Sequence, residues 1–281
     1  MSYKIDSRKL SHPLLKPILR ELDYYFKDLD VHFFVIGATA RDIVMEIHNE
    51  KSGRLTHDLD IAIAINDWNQ YAEIEKGIIV LENFKKDANQ KQRFIYKGSF
   101  QLDIVPFGNI MREDDKIFWP PDEQVAMSVL GFPEAKNDII VVKIDEEFEI
   151  NIISLAGIFI LKIVAWKDRY LRGNKDADDI GFILINYLNI YEEKAIDKYD
   201  EIYETDNFST ITAGAKLLGD DLFHILKINI KTKEAITKII KDQYNKAEDS
   251  ELINQILETN RVIHFEELIE SLSILIKKLD K

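Results

Sequence analysis

Asp58-Leu59-Asp60-Ile61-Ala62-Ile63-Ala64-Ile65 alternates without a break. On a β-strand, Leu59, Ile61, Ile63 and Ile65 share one face, while Asp58, Asp60, Ala62 and Ala64 share the other. The first face is aliphatic enough to be core. The second opens with two carboxylates held close together, and these repel unless a cation sits between them. Ligation by oxygen alone favours magnesium or manganese over zinc.

Upstream, Phe33 to Ile36 is wholly apolar and ends at Gly37, which reads as a buried strand delivered into a tight turn. Residues 38–48 carry Ala40, Ile43, Val44 and Ile47 at helical spacing. The N–H groups of Gly37, Ala38 and Thr39 at that helix start are candidates for phosphate. Arg41 sits badly with the helix dipole and calls for an anion: a phosphate, Asp42 or Glu46. Further back, Pro13 suits the first turn of a helix whose buried face is Leu14, Leu15, Ile18, Leu19, Leu22 and Phe26. Asn49 to Thr56 is a polar loop, and His57 follows as a loop or edge residue.

Downstream, residues 68–80 read as a helix, and Arg93–Lys97 and Gln101–Phe107 as two strands joined near Gly98. Asp103 shares a face with Val105, opposite Leu102 and Ile104. Paired beside residues 58–65, that strand would make Asp103 the third carboxylate of a cluster able to hold two cations. Lys85, Lys86, Lys91, Arg93 and Lys97 make a basic stretch that could touch RNA phosphate, with a solvated face the better reading. Trp119-Pro120-Pro121-Asp122 is an ordered loop. Ile139–Ile144 and Phe148–Ile153 form a hairpin about an acidic turn.

From Ser154 the period becomes helical, with helices expected at 154–172, 177–190, 210–228, 232–246, 250–258 and 264–279. Lys162 interrupts the apolar run Leu155 to Trp166, so its ammonium must snorkel or meet an anion. Lys162, Trp166 and Arg169 fall on one helical face. Lys162 and Arg169 are expected to balance a triphosphate held at Asp58 and Asp60, with Lys162 facing that cleft and not a structural carboxylate. Trp166 could stack a base, but such a residue is more often core. Asp176 and Asp179 suit the start of the helix near 177.

The 281 residues are 46% hydrophobic and 31% charged, the balance of a globular chain. With no cysteine, a thiol nucleophile, a disulfide framework and an iron–sulfur cluster are excluded. His12, His32, His48, His224 and His264 show no metal-ligand spacing. A net charge of −13 argues against indiscriminate DNA coating but leaves room for a local basic site. No signal peptide or bilayer-length apolar run is read, so a cytoplasmic protein without a membrane partner is expected.

Gly37-Ala38, then Asp58-x-Asp60, then Asp103 resembles the nucleotidyltransferase superfold of DNA polymerase beta. The opening, through about residue 65, also resembles CCA-adding enzymes and bacterial poly(A) polymerases. Leu161-Lys162-x-x-Ala165-x-x-Asp168-Arg169 followed by Lys175-Asp176-x-x-Asp179 is similar to AbiEii-type nucleotidyltransferase toxins, a likeness covering roughly residues 10–190. It implies an α/β (α+β) fold, a nucleotidyltransferase-type mixed sheet with flanking helices over 1–152 followed by a helical domain over 153–281. It further implies nucleotidyl transfer from a nucleoside triphosphate, with Mg2+ (or Mn2+) on Asp58, Asp60 and Asp103. The resemblance adds Lys175 and Asp176 to the nucleotide-binding candidates Gly37, Ala38, Thr39, Arg41, Lys162 and Arg169. The acceptor it favours is a tRNA or other RNA 3′ end, with a cognate antitoxin as partner. Transfer to a protein side chain or a small molecule such as an aminoglycoside, or a non-catalytic nucleotide-binding module, are the alternatives. Ala38 departs from the family's serine or glycine, and Thr39 is the residue that could supply the missing hydroxyl.

Overall fold

In the computed structural model, which describes residues 2–52, 58–204 and 208–281, the chain divides into the units Met1–Ser154 and Leu155–Lys281. The first unit contains, in order, β1 (Ser2–Ile5), α1 (Leu15–Asp28), β2 (Phe33–Ile36), α2 (Gly37–Ile47), β3 (Asp58–Ile65) and α3 (Trp68–Val80). Then come β4 (Phe84–Lys86), β5 (Arg93–Tyr96), β6 (Phe100–Gly108), β7 (Lys116–Phe118), β8 (Ala126–Ser128), α4 (Phe132–Ala135), β9 (Ile139–Ile144) and β10 (Phe148–Ile153).

Among the described residues, eight strands form one mixed sheet in the order β1-β9-β10-β2-β3-β6-β5-β4, and β7 and β8 pair separately. The alternation of β3 decides its place. Leu59, Ile61 and Ile63 are fully buried, while Asp58 and Asp60 on the opposite face stay part-exposed. On its two sides β3 pairs antiparallel with β2 and parallel with β6. A parallel neighbour needs a crossover, and α3 with the β4–β5 hairpin supplies it. α1 buries Leu15, Ile18, Leu19, Leu22 and Phe26, the face its spacing predicts. The proline in its first turn is Pro17, since α1 starts after Pro13. His57 and residues 53–56 of the polar loop lie outside the described residues.

The second unit is helical: α5 (Leu155–Arg169), α6 (Lys175–Ile190), α7 (Glu192–Ile196), α8 (Tyr199–Tyr203), α9 (Thr210–Leu226), α10 (Ile230–Lys246), α11 (Glu251–Thr259) and α12 (Phe265–Leu279). α5 is apolar on nearly every side, and such a helix belongs in the middle of a bundle. It packs against α6, α9 and α10 accordingly. Trp166 is core, 1% exposed, with its indole N–H donating to Gln255 Oε1 at 2.9 Å. Among the described residues, no helix is long and apolar enough to cross a membrane.

Candidate nucleotidyl-transfer site

The parallel register of β3 and β6 sets Asp60 directly beside Asp103 and Asp58 beside Gln101. Residues in register on neighbouring strands point to the same face. Asp58, Asp60 and Asp103 therefore share one sheet face although Asp103 comes a whole crossover later in the chain. On the other side, Ile36 pairs with Asp60, so the β2–α2 turn is delivered against the same carboxylate.

Gly37 occupies that turn at φ +68°, and a Cβ there would stand 2.6 Å from Asp60 Oδ2. The backbone approaches the carboxylate as closely as it can only because the side chain is missing. No side chain caps α2 and its first turn holds no acidic residue of its own, so the Asp60 carboxylate packed on Gly37 stands at the positive end of the helix.

Thr39 is 1% exposed, and its hydroxyl donates to the Asp58 carbonyl at 3.0 Å. Its single proton is used to tie α2 to β3, which corrects the expectation that Thr39 replaces the hydroxyl Ala38 lacks. Arg41 is also 1% exposed, and its guanidinium donates to Asp42 Oδ1 at 2.7 and 3.0 Å. Arg41 thus engages Asp42, and Glu46 pairs with Lys9.

Asp103 is held by a residue that sequence reasoning put on a solvated face. Arg93 Nε and one terminal nitrogen donate to its two carboxylate oxygens at 2.7 and 2.8 Å. The antiparallel β5–β6 register puts Arg93 directly opposite Asp103. Hydrogen bonding to Asp103 pushes the Arg93 pKa up, and the charges of Asp103, Asp58 and Asp60 act in the same sense against burial. The three aspartates and Arg93 are thus one electrostatic cluster. The signal that could have found Arg93 is the hairpin: two strands turning at Gly98 place residues about equally distant from the turn opposite one another.

Three carboxylates with no softer ligand suit a hard divalent cation, and the Gly37 backbone keeps open the space beside Asp60 that a Cβ would fill. Among the described residues, however, no three His, Cys, Asp or Glu side chains converge enough to hold an ion as they stand. Both oxygens of Asp103 are turned to Arg93.

Gly37→Ala tests the close approach. A non-glycine residue in the left-handed region costs about 1–2 kcal/mol, and the collision with Asp60 adds to it. Gly98→Ala is the control, because Gly98 has φ +76° with nothing within 4 Å of a Cβ. Chemical denaturation should show Gly37→Ala as the more destabilising of the two. Equal losses would mean that Asp60 yields freely.

In the second unit, Lys162 Nζ lies 2.6 Å from Asp179 Oδ2 and 3.2 Å from Asp176 Oδ1. Arg169 grips Asp176 through two bonds of 2.7 and 2.9 Å. Asp176 and Asp179 are 5% and 1% exposed. Lys162 is therefore held by structural carboxylates, contrary to the sequence expectation, because an ammonium inside an apolar helix satisfies itself with the nearest buried anions. Asp176 lies in the first turn of α6, as its suitability for a helix start predicts, but neither aspartate is the cap, which is Asn174, and both are engaged in ion pairs. Burial pushes the Asp176 carboxyl up, but the Arg169 bond and the Lys162 and Arg169 charges outweigh it and leave it below its ordinary value. Lys175, the first residue of α6, is exposed.

No curated protein matches the chain. The family model described as "Nucleotidyl transferase AbiEii toxin, Type IV TA system" matches residues 20–269, well past the stretch in which the sequence motifs are recognisable. That span takes in the β2–α2 turn, the aspartate strands, the Lys162 cluster and all but the end of α12, so the chain belongs to the AbiEii nucleotidyl transferase toxin family.

Proposed function

We propose that the chain is a magnesium- or manganese-dependent nucleotidyltransferase that joins a nucleoside monophosphate to an acceptor hydroxyl and releases pyrophosphate. The observation that carries this reading is the register that sets Asp60 beside Asp103, with Gly37 of the uncapped α2 start packed on Asp60. Asp58 and Asp60 would hold the metal that carries the triphosphate, and Asp103 the one facing the acceptor. When bound, these cations neutralise the phosphates and make the acceptor hydroxyl easier to deprotonate. Gly37 and Ala38 present N–H groups to the phosphates. The acceptor oxygen attacks the α-phosphorus, the bond to the bridging oxygen of pyrophosphate breaks, and the hydroxyl proton passes to solvent. The work left to the protein is positioning and electrostatics.

The acceptor most in keeping with the family is an RNA 3′ end such as that of a tRNA, and a cognate antitoxin is the expected partner. Incubating the full chain with labelled nucleoside triphosphates and total RNA should give divalent-dependent label in RNA. Label in protein or in a small molecule would move the acceptor, and no label with any triphosphate would leave a nucleotide-binding module. Calorimetry adds a second check. Asp58→Ala and Asp60→Ala should each lose divalent-dependent nucleotide binding, and unchanged binding in both would remove the metal assignment.

A further inference from the structure

The Arg93 fork on Asp103 is placed where a metal ligand is wanted, and it uses both carboxylate oxygens. We infer that Arg93 is a resident counter-cation that competes with the divalent metal for Asp103, so that the site loads fully only when the metal displaces the guanidinium. The inference rests on the metal site proposed above.

Three observations carry it. Without a cation, three carboxylates on one face repel, and Arg93 is the positive group that the β5–β6 register builds in opposite Asp103. A planar fork takes one lone pair of each oxygen at once and sets a fixed positive charge against the carboxylate, which an incoming divalent cation must oppose or displace. Arg93 is only part-buried, its side chain 24% exposed against 11% for Asp103. The guanidinium is therefore the partner with a path to water, while Asp103 stays in the sheet. Neighbouring Lys86 is engaged elsewhere, with Glu75 and the Lys91 carbonyl. Asp58 and Asp60 would take the first cation, and Asp103 would be released to a second at higher concentration. Arg93 is on this account a positioning residue that sets a threshold of divalent cation for the reaction.

The test needs neither nucleotide nor acceptor. Mn2+ is titrated into the full chain, followed by calorimetry and by the paramagnetic resonance signal of unbound Mn2+. Arg93→Gln should bind Mn2+ at least ~10-fold more tightly at the Asp103 site, the size of effect that an adjacent guanidinium has on a carboxylate's affinity for its competing cation, the proton. Arg93→Lys, a point charge that cannot hold both oxygens, should show a smaller gain of the same sign, and it carries the test if the glutamine variant fails to fold. In Asp103→Asn the added Arg93→Gln change should bring no gain. A merely structural arginine would lower metal affinity when lost and not raise it. Equal or weaker Mn2+ binding in both Arg93 variants, with binding still lost in Asp58→Ala, overturns this inference and leaves the metal site standing. Absence of Mn2+ binding in every folded variant takes down both.

Discussion

Asp103→Asn should bind metal–nucleotide nearly as well as the parent and transfer it at least ~10²-fold more slowly, the loss that follows removal of a dedicated transition-state electrostatic group. The split follows from the assignment of roles. Asp58 and Asp60 would grip the cation that carries the triphosphate, and nucleotide binding needs no more. Asp103 would act on the acceptor hydroxyl, where charge develops only as the bond forms, so its loss appears in the rate and not in the affinity. The amide is nearly the same size and can still accept from Arg93, whose side chain is part-exposed, so the fold should persist. Single-turnover transfer at saturating nucleotide decides the matter, because saturation removes any binding defect. Near-parental turnover would reduce the site to two aspartates and return the reading to a nucleotide-binding module.

Lys162→Met should destabilise the second unit by about 3–5 kcal/mol, the usual result of removing one partner from a buried ion pair. Methionine fills a similar volume, so the loss reports the charge left behind on Asp179, 1% exposed, and the weakened hold on Asp176. Replacing Asp179 by leucine in the same variant should recover most of the stability, since removing both charges removes the desolvation penalty. The pH dependence has a definite sign. The folded Asp176 pKa is depressed, so its contribution is fully present above the unfolded value, 3.8, and is lost as pH falls through the folded value. The gap between parent and Lys162→Met should therefore hold down to the unfolded value, 3.8, and narrow as pH falls below it toward the depressed folded value. Denaturant unfolding across that range checks it. A variant as stable as the parent that has lost only triphosphate binding would restore the nucleotide-facing role expected for Lys162.

The sequence displayed its strands wherever the two faces differed in chemistry. β3 is legible because aspartate and alanine oppose leucine and isoleucine residue by residue, and Asp103 is legible for the same reason. Arg93 is not, because its meaning lies in the residue opposite it, and cross-strand register is invisible in a list of basic residues. Lys162 announced itself by interrupting an apolar helix, yet its partners did not. Aspartates near a helix start also read as caps, and only the packing of α5 on α6 distinguishes the two. The strands β1, β4, β7 and β8 are too short to show a period; their partners place them in sheets. Thr39 looked like a phosphate ligand from its position, but its hydroxyl is turned to a carbonyl that no local pattern reveals.

The sheet order also constrains how the molecule is made. β1 lies beside β9, with Ser2 opposite Val141, and β2 receives β10 only at Ile152. During synthesis at about 5–20 residues per second, the first strand waits roughly 7–28 seconds for its ladder partner to be translated. Asp58, Asp60 and Asp103 all leave the ribosome well before that, on a sheet that still lacks β9 and β10. A nascent chain therefore carries its acidic residues without the finished scaffold that holds them in register, and non-local pairing of this kind closes slowly even once the chain is complete. Transfer activity should arise late and all at once, when β9 and β10 close the sheet, and not by degrees as the polypeptide lengthens.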